Sequence, residues 1–274
     1  MKGKIATPIA LLVILSIVLL GTFDLRKSGA SRKETSITVG GSTSVMPFSE
    51  KLAEFYMLQH PNLSVDVQGG GSSAGIQACI NRTVSIGMSS RKLKPDEKVL
   101  KEIPICYDGI SIIVHPKNPL QDISLEQIRK IYSGQIRNWK ELGWIERNID
   151  AVSREEGSGT RGAFEELVMG KEFIDDGIMV QDSNGSVKEV VATDPYSIGF
   201  VSLGMVDRNV KALSIEGAAP TVQNIRKNKY SMVRPFLYLT AGEPTGPAKL
   251  FIDFVLSREG QNILRKEGLV PIGG

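Results

Sequence analysis

Three segments of the chain set glycines beside hydroxyls where a strand passes into a helix. The first is Gly40-Gly41-Ser42-Thr43-Ser44, which leads into an apolar stretch from Val45 with Pro47 in its first turn. The second is Gly69-Gly70-Gly71-Ser72-Ser73-Ala74-Gly75, and the third is Gly157-Ser158-Gly159-Thr160. Glycine lets the backbone come close to a ligand. Hydroxyls and the free amides of a first helical turn donate hydrogen bonds, and the helix dipole there favours an anion. Arg154 stands just before the third loop, and a guanidinium fork donates in pairs to an oxyanion. Taken singly, each loop is equally compatible with helix capping, because serine and threonine cap helices everywhere. Arg154 alone is compatible with a surface ion pair. Three such loops with an adjacent arginine point to an anion site.

Other chemistries find less support. The phosphate-loop pattern GxxxxGK[ST] is absent, and GxGxxG is absent from the first strand–helix junction. Two histidines and two cysteines leave few ligands for a transition metal, and no cofactor is expected. Ser158 as a nucleophile would need a base. His115 precedes Pro116 with no evident orienting partner, and His60, in Gln-His-Pro, reads as a helix end. A catalytic triad is therefore unsupported and no enzymatic activity is expected. An extracellular phosphoryl-transfer enzyme is the alternative from another class, since it would use the same hydroxyls and arginine.

The elements that must hold these loops can be read from periodicity. Ile37 to Val39 and Leu63, Val65, Val67 predict strands, as do Ile110 to Val114 and Ile198 to Val201. Helical spacing joins Val45, Phe48, Leu52, Phe55 and Tyr56; then Ile76, Cys79 and Ile80; then Ile128, Ile131 and Tyr132; then Ala163, Phe164, Leu167 and Val168. Phe251, Phe254, Val255, Gln261 and Leu264 fit a C-terminal pair of helices. Such alternation predicts α/β architecture with largely parallel sheets.

At 274 residues, 41% hydrophobic and 23% charged, the composition excludes global disorder and a polytopic membrane protein. The net charge of +3 comes from the N-terminus. Residues 1–31 hold Lys2, Lys4, Arg26 and Lys27 against Asp24, leaving 29 basic and 29 acidic groups beyond them. A formally neutral remainder argues against nucleic-acid binding. Lys2 and Lys4 precede an apolar run from Ile5 to Phe23, read as an export signal or an uncleaved membrane anchor. Both choices put the rest of the chain outside the cytoplasmic membrane. Residues 24–35 are polar and read as a linker. In that setting Cys79 and Cys106 could pair as a disulfide or remain buried thiols.

In this order, the loops and their surroundings resemble the phosphate-binding subunit of ABC-type phosphate importers. The resemblance covers roughly residues 36–272. It rests on GSTSVMPF at 41–48, QGGGSSAGI at 68–76, IGMSSRKL at 86–93 and IYSGQIRNWKELG at 131–143. SREEGSGTRGAFEE at 153–166, SIGFVSLG at 197–204 and FIDFVLSREGQNIL at 251–264 complete it. It implies a two-lobed periplasmic-binding-protein-like (type II) fold with a hinge and an inter-lobe cleft. The lobes would be 32–114 plus 235–274, and 115–234, after an N-terminal segment of 1–31. The chain crossings would lie near His115–Pro119 and Val233–Leu237.

It further implies capture of inorganic phosphate by a monomer and delivery to an ABC permease, with membrane association only through an uncleaved N-terminus. The implied ligands are Thr43, Ser44, the Val45 amide, Ser72 and Ser90 on one lobe, and Arg154, Ser158, Gly159 and Thr160 on the other. Glu156 is expected to orient Arg154. One departure stands out: Ser90 occupies a position where some members carry an aspartate that accepts the proton of hydrogen phosphate. Serine repels nothing, so another tetrahedral oxyanion such as sulfate, molybdate or tungstate is the alternative ligand.

Overall fold

The computed structural model describes residues 35–273, so the expectations for the leader and most of the linker lie outside the described residues. The strands are β1 (Thr35–Gly41), β2 (Leu63–Gly69), β3 (Ile86–Ser89), β4 (Lys101–Val114), β5 (Asp122–Ile123) and β6 (Asp150–Arg154). They continue as β7 (Met179–Gln181), β8 (Ser197–Ser202), β9 (Lys211–Ala212), β10 (Ser214–Ile215), β11 (Val233–Thr240) and β12 (Val270–Pro271). The α-helices are α1 (Met46–Gln59), α2 (Ser72–Ile80), α3 (Leu125–Tyr132), α4 (Gly159–Phe164), α5 (Asn184–Thr193), α6 (Val222–Arg226), α7 (Gly246–Leu256) and α8 (Arg258–Lys266). Among the described residues no helix is long and apolar enough to cross a membrane.

Local chemistry explains where the helices begin and what they bury. Helix α1 starts with a proline in its first turn and buries Phe48, Leu52, Ala53 and Tyr56 on one stripe. Helix α3 opens on a reciprocal cap: Ser124 Oγ accepts from the Gln127 amide, and Gln127 Oε1 accepts from the Ser124 amide. Helix α5 is capped by Ser183, whose hydroxyl accepts from the Ser186 amide at 3.0 Å.

Ten strands form one sheet with a central path β2-β1-β3-β11-β4-β8-β6-β7, and β9 and β12 also pair with β4. The pairs β1–β3, β6–β8 and β6–β7 are parallel. Strand β11 runs antiparallel to both β3 and β4, and β4 antiparallel to β8. The expectation of largely parallel sheets is thus corrected to a mixed sheet. The reason is topological: β4 and β11 carry the chain in opposite directions between two cores, and a return strand laid beside an outgoing one must be antiparallel.

Those cores are distinct. One gathers Val39, Phe48, Leu52, Ile86, Ile105, Cys106, Phe236, Tyr238 and Phe251. The other gathers Ile110, Ile112, Ile128, Tyr132, Trp139, Phe164, Phe200 and Met232. Along β4 the side chains change core between Cys106 and Ile110; along β11 they change between Val233 and Phe236. Cys79 and Cys106 are free, buried thiols that belong to different clusters. Burial pushes both thiols up, so neither is primed as a nucleophile.

Candidate functional site

The three glycine and hydroxyl loops lie at the C-terminal ends of β1, β2 and β6, and they meet. The first two belong to the β1–β3 half of the sheet and the third to the β6–β8 half. They touch through backbone as well as side chains, since the Ser73 amide donates to Gly157 O at 3.1 Å. Gly71, with φ of +91°, supplies the left-handed turn that brings the second loop against Gly157. The Ser44 and Thr160 hydroxyls lie 2.7 Å apart across the same junction. Ser44, Ser72, Ser90, Arg154, Ser158 and Thr160 are all buried, and Thr43 is half-buried.

Arg154 dominates the charge here. It ends β6 with 1% of its surface exposed. Its Nε donates to Glu155 Oε2 at 3.0 Å and to Gln181 O at 3.1 Å. Its Nη2 donates to Glu155 Oε1, to Asp182 O and, at 3.2 Å, to Thr43 Oγ1. Its Nη1 is buried and has no hydrogen-bond partner among the described residues. The acid that orients it is Glu155, not Glu156, which is exposed. Glu155 is the residue that reaches back alongside the guanidinium, whereas Glu156 lies in the following turn facing solvent.

The serines are oriented by amides. Ser72 Oγ accepts from the Ser90 amide at 3.1 Å and lies 3.4 Å from Ser90 Oγ. Ser158 caps α4 by accepting from the Arg161 amide at 3.2 Å. Gly159 sits so close to the other half that a β-carbon there would lie 2.6 Å from Ser90 Oγ and 2.8 Å from Ser72 Cβ. Only glycine lets the backbone here approach the Ser72 and Ser90 side chains so closely. The Val45 amide, expected as a donor to an anion, is used in the turn and donates to Ser42 O at 3.1 Å. Beneath the second loop, buried Arg91 forks onto Glu97 at 2.7 and 2.8 Å and steadies Ser73 Oγ at 3.2 Å. That guanidinium holds the Glu97 carboxyl below its ordinary range.

Three buried polar positions bonded to the site escaped the sequence reading. Asn184, fully buried at the start of α5, donates to Ser44 Oγ at 2.8 Å. The Ser183-Asn184-Gly185-Ser186 cap followed by Val187 and Val191 is the signal that would have revealed its helix. Asp108 and Arg234 stand directly opposite each other on β4 and β11, both buried. Arg234 Nε and Nη2 donate to Asp108 Oδ2 at 3.0 and 2.8 Å, and Ser202 Oγ donates to Oδ1 at 2.9 Å. Burial pushes the Asp108 carboxyl up against the opposing pull of Arg234. Arg234 Nη1 also reaches Ser90 O at 3.4 Å. No local sequence signal announces that pair.

The histidines engage elsewhere: the His60 ring lies against Tyr56, and His115 Nδ1 accepts from the Lys117 amide. What the loops offer is a set of hydroxyls from two sides and a guanidinium Nη1 without a partner among the described residues, suited to a compact anion with several acceptor oxygens.

Comparison with known proteins identifies the family. A family model described as a PBP superfamily domain matches residues 27–259. The chain is 33% identical over 250 residues to the phosphate-binding protein PstS of Bacillus subtilis, covering 89% of this chain and 83% of that one. It is 31% identical over 275 residues to the PstS of Borreliella burgdorferi, covering 95% and 98%. Among solved structures, it resembles a Clostridium perfringens substrate-binding protein assigned to a phosphate ABC transporter and crystallised with phosphate. That match has a TM-score of 0.84 at 42% identity, over 87% of this chain and all of the other. An ABC-type phosphate transport receptor from Vibrio cholerae gives a TM-score of 0.72 at 38% identity, covering 85% and 99%.

Proposed function

The chain belongs to the PBP superfamily and, within it, to the phosphate-binding proteins of ABC importers; from that membership we propose that it captures inorganic phosphate between two lobes and delivers it to a membrane permease. The observation that carries the reading is Arg154 Nη1, a buried cationic NH2 group with no partner among the described residues, on a guanidinium whose Nη2 donates to the Thr43 hydroxyl of the other half of the sheet. Burying such a donor unpaired is unfavourable, and an oxyanion relieves it. The ligands we assign are Thr43, Ser44, Ser72, Ser90, Arg154, Ser158 and the Gly159 and Thr160 positions of α4. Val45 keeps a place only if its amide is shared with Ser42 O.

We divide the lobes where the side chains change core, at residues 107–109 on β4 and 233–235 on β11. The first crossing thereby moves towards the N-terminus from the expected 114/115 boundary, and the second stays near 234/235. Residues 1–31 support capture outside the cytoplasmic membrane. The engaged state of both histidines supports a receptor over a phosphoryl-transfer enzyme, because Ser158 Oγ receives the Arg161 amide and no imidazole contact.

A second reading, binding of tetrahedral oxyanions more broadly, is favoured by how two acids beside the site are used. Glu155 is engaged by Arg154, and Asp108 by Arg234 and Ser202. Ser90 therefore offers a hydroxyl where a discriminating carboxylate could stand. Calorimetric titration decides, with protein unfolded and refolded beforehand to strip bound anion. Micromolar or tighter phosphate binding that survives excess sulfate is the expected result. Binding erased by sulfate would reassign the ligand to oxyanions in general, and no heat with phosphate, sulfate, molybdate or tungstate would overturn both readings.

A further inference from the structure

We propose that Asn184 is a positioning residue that sets the hydrogen-bond polarity of the site: it forces the Ser44 and Thr43 hydroxyls to present their protons, without itself being a ligand of the anion. The proposal rests on the anion-binding reading.

The direction of the amide is settled by its neighbours. Asn184 Oδ1 accepts from the Ser202 amide at 3.3 Å. A backbone N–H can only donate, so the oxygen must face β8 and the amide nitrogen must face the first loop. That nitrogen donates to Ser44 Oγ at 2.8 Å and reaches Thr43 Oγ1 at 3.5 Å. It cannot accept. Ser44 therefore spends a lone pair on Asn184, and its single proton must go elsewhere, either to Thr160 Oγ1 or to an anion between the loops. Thr43 Oγ1 receives Arg154 Nη2 as well, so its proton is likewise turned outward. Both hydroxyls become committed donors, and that corner suits an oxyanion oxygen that carries no hydrogen.

The positioner is itself positioned. Asn184 is fully buried, and the residue that orients it, Ser202, passes its own hydroxyl proton to Asp108. Asp108 is held by Arg234, whose remaining nitrogen reaches Ser90 O. A chain of bonds thus runs from the two strands that join the lobes to Ser44 on one side and Ser90 on the other. Asn184 also ties an α5 side chain to the β1-loop side chains, so its bonds to Ser44 and Thr43 exist only with the two halves in contact.

Asn184→Asp tests the polarity, because a carboxylate of the same shape accepts where the amide donates. Each affinity is taken as a ratio to wild type at the same pH, which cancels the titration of phosphate itself. We expect Asn184→Asp to bind phosphate about 100-fold more weakly at pH 8. The deficit should shrink as pH falls and the new carboxyl gains a proton to donate. Asn184→Ala should weaken binding about tenfold at every pH, and should cost almost nothing further in a Ser44→Ala, Thr43→Val background. A pH-independent Asn184→Asp ratio, or an Asn184→Ala loss of equal size in both backgrounds, would overturn the proposal. The alanine cycle serves by itself if the aspartate variant fails to fold. Should wild type bind none of phosphate, sulfate, molybdate and tungstate, the anion-binding reading falls and takes the proposal with it. A bound wild type with uncoupled variants sinks the proposal alone.

Discussion

Gly159→Ala is expected to leave thermal stability nearly unchanged while weakening phosphate binding about 100-fold, the upper end of what overpacking costs. The backbone at Gly159 is not in the left-handed region, so alanine is allowed there on conformational grounds. The difficulty is contact. The added carbon would lie 2.6 Å from Ser90 Oγ and 2.8 Å from Ser72 Cβ, and closer still to the Ser72 hydroxyl. Ser72 Cβ cannot rotate away, because it belongs to the first turn of α2. The clash exists only when the loops of the two lobes meet, so separated lobes should accommodate the methyl group. Calorimetric affinity and a melting curve without phosphate check the pair of expectations. A variant that binds normally would mean the loops do not approach this closely with phosphate between them.

Arg154 carries the second large effect. Arg154→Gln should weaken phosphate binding by about 2–5 kcal/mol, the range for removing one member of a buried charged contact. Arg154→Lys should recover little, since an ammonium cannot hold Glu155, Gln181 O and Thr43 while also aiming a donor from the Nη1 position. The telling measurement is the phosphate-induced rise in melting temperature. It should disappear in both variants even if their unliganded stabilities differ, because the guanidinium also serves two backbone carbonyls. A loss below about 0.5 kcal/mol in Arg154→Gln would show that this residue is not a ligand.

How legible the molecule was depended on whether the physics was local. The three loops could be read because glycine, hydroxyl and helix start are neighbours in the chain, and the structure pairs Ser44 with Thr160 and sets Gly159 against Ser72 and Ser90. Arg154 was visible for the same reason. Its partner was misread by one position, Glu156 for Glu155, because the direction of a side chain leaving a strand depends on the turn that follows. Strand β11 was read as a crossing rather than as an eight-residue strand, since Pro235 interrupts its pattern. Asn184 lies 140 residues from Ser44, and Arg234 lies 126 from Asp108. Contacts at such separations leave no mark on periodicity. The mixed sheet was missed for that reason too: alternation of strands and helices tells which elements exist, but not that one long strand will turn back against another.

The Asp108–Arg234 pair also acts as an alignment mark. Strands β4 and β11 are apolar over most of their facing lengths, and an apolar ladder tolerates sliding poorly only if something penalises the slip. A shift of one residue would set Arg234 against Tyr107 or Gly109 and turn it to the other face, leaving two buried charges apart at a cost of several kcal/mol. Exchanging both residues for leucine and methionine should therefore broaden or multiply backbone amide resonances along β11 more than it lowers the melting temperature; sharp single resonances would refute the idea. On this view the pair proofreads strand assembly: Ser90, whose carbonyl touches Arg234, comes into place only in the one registration that the two charges accept.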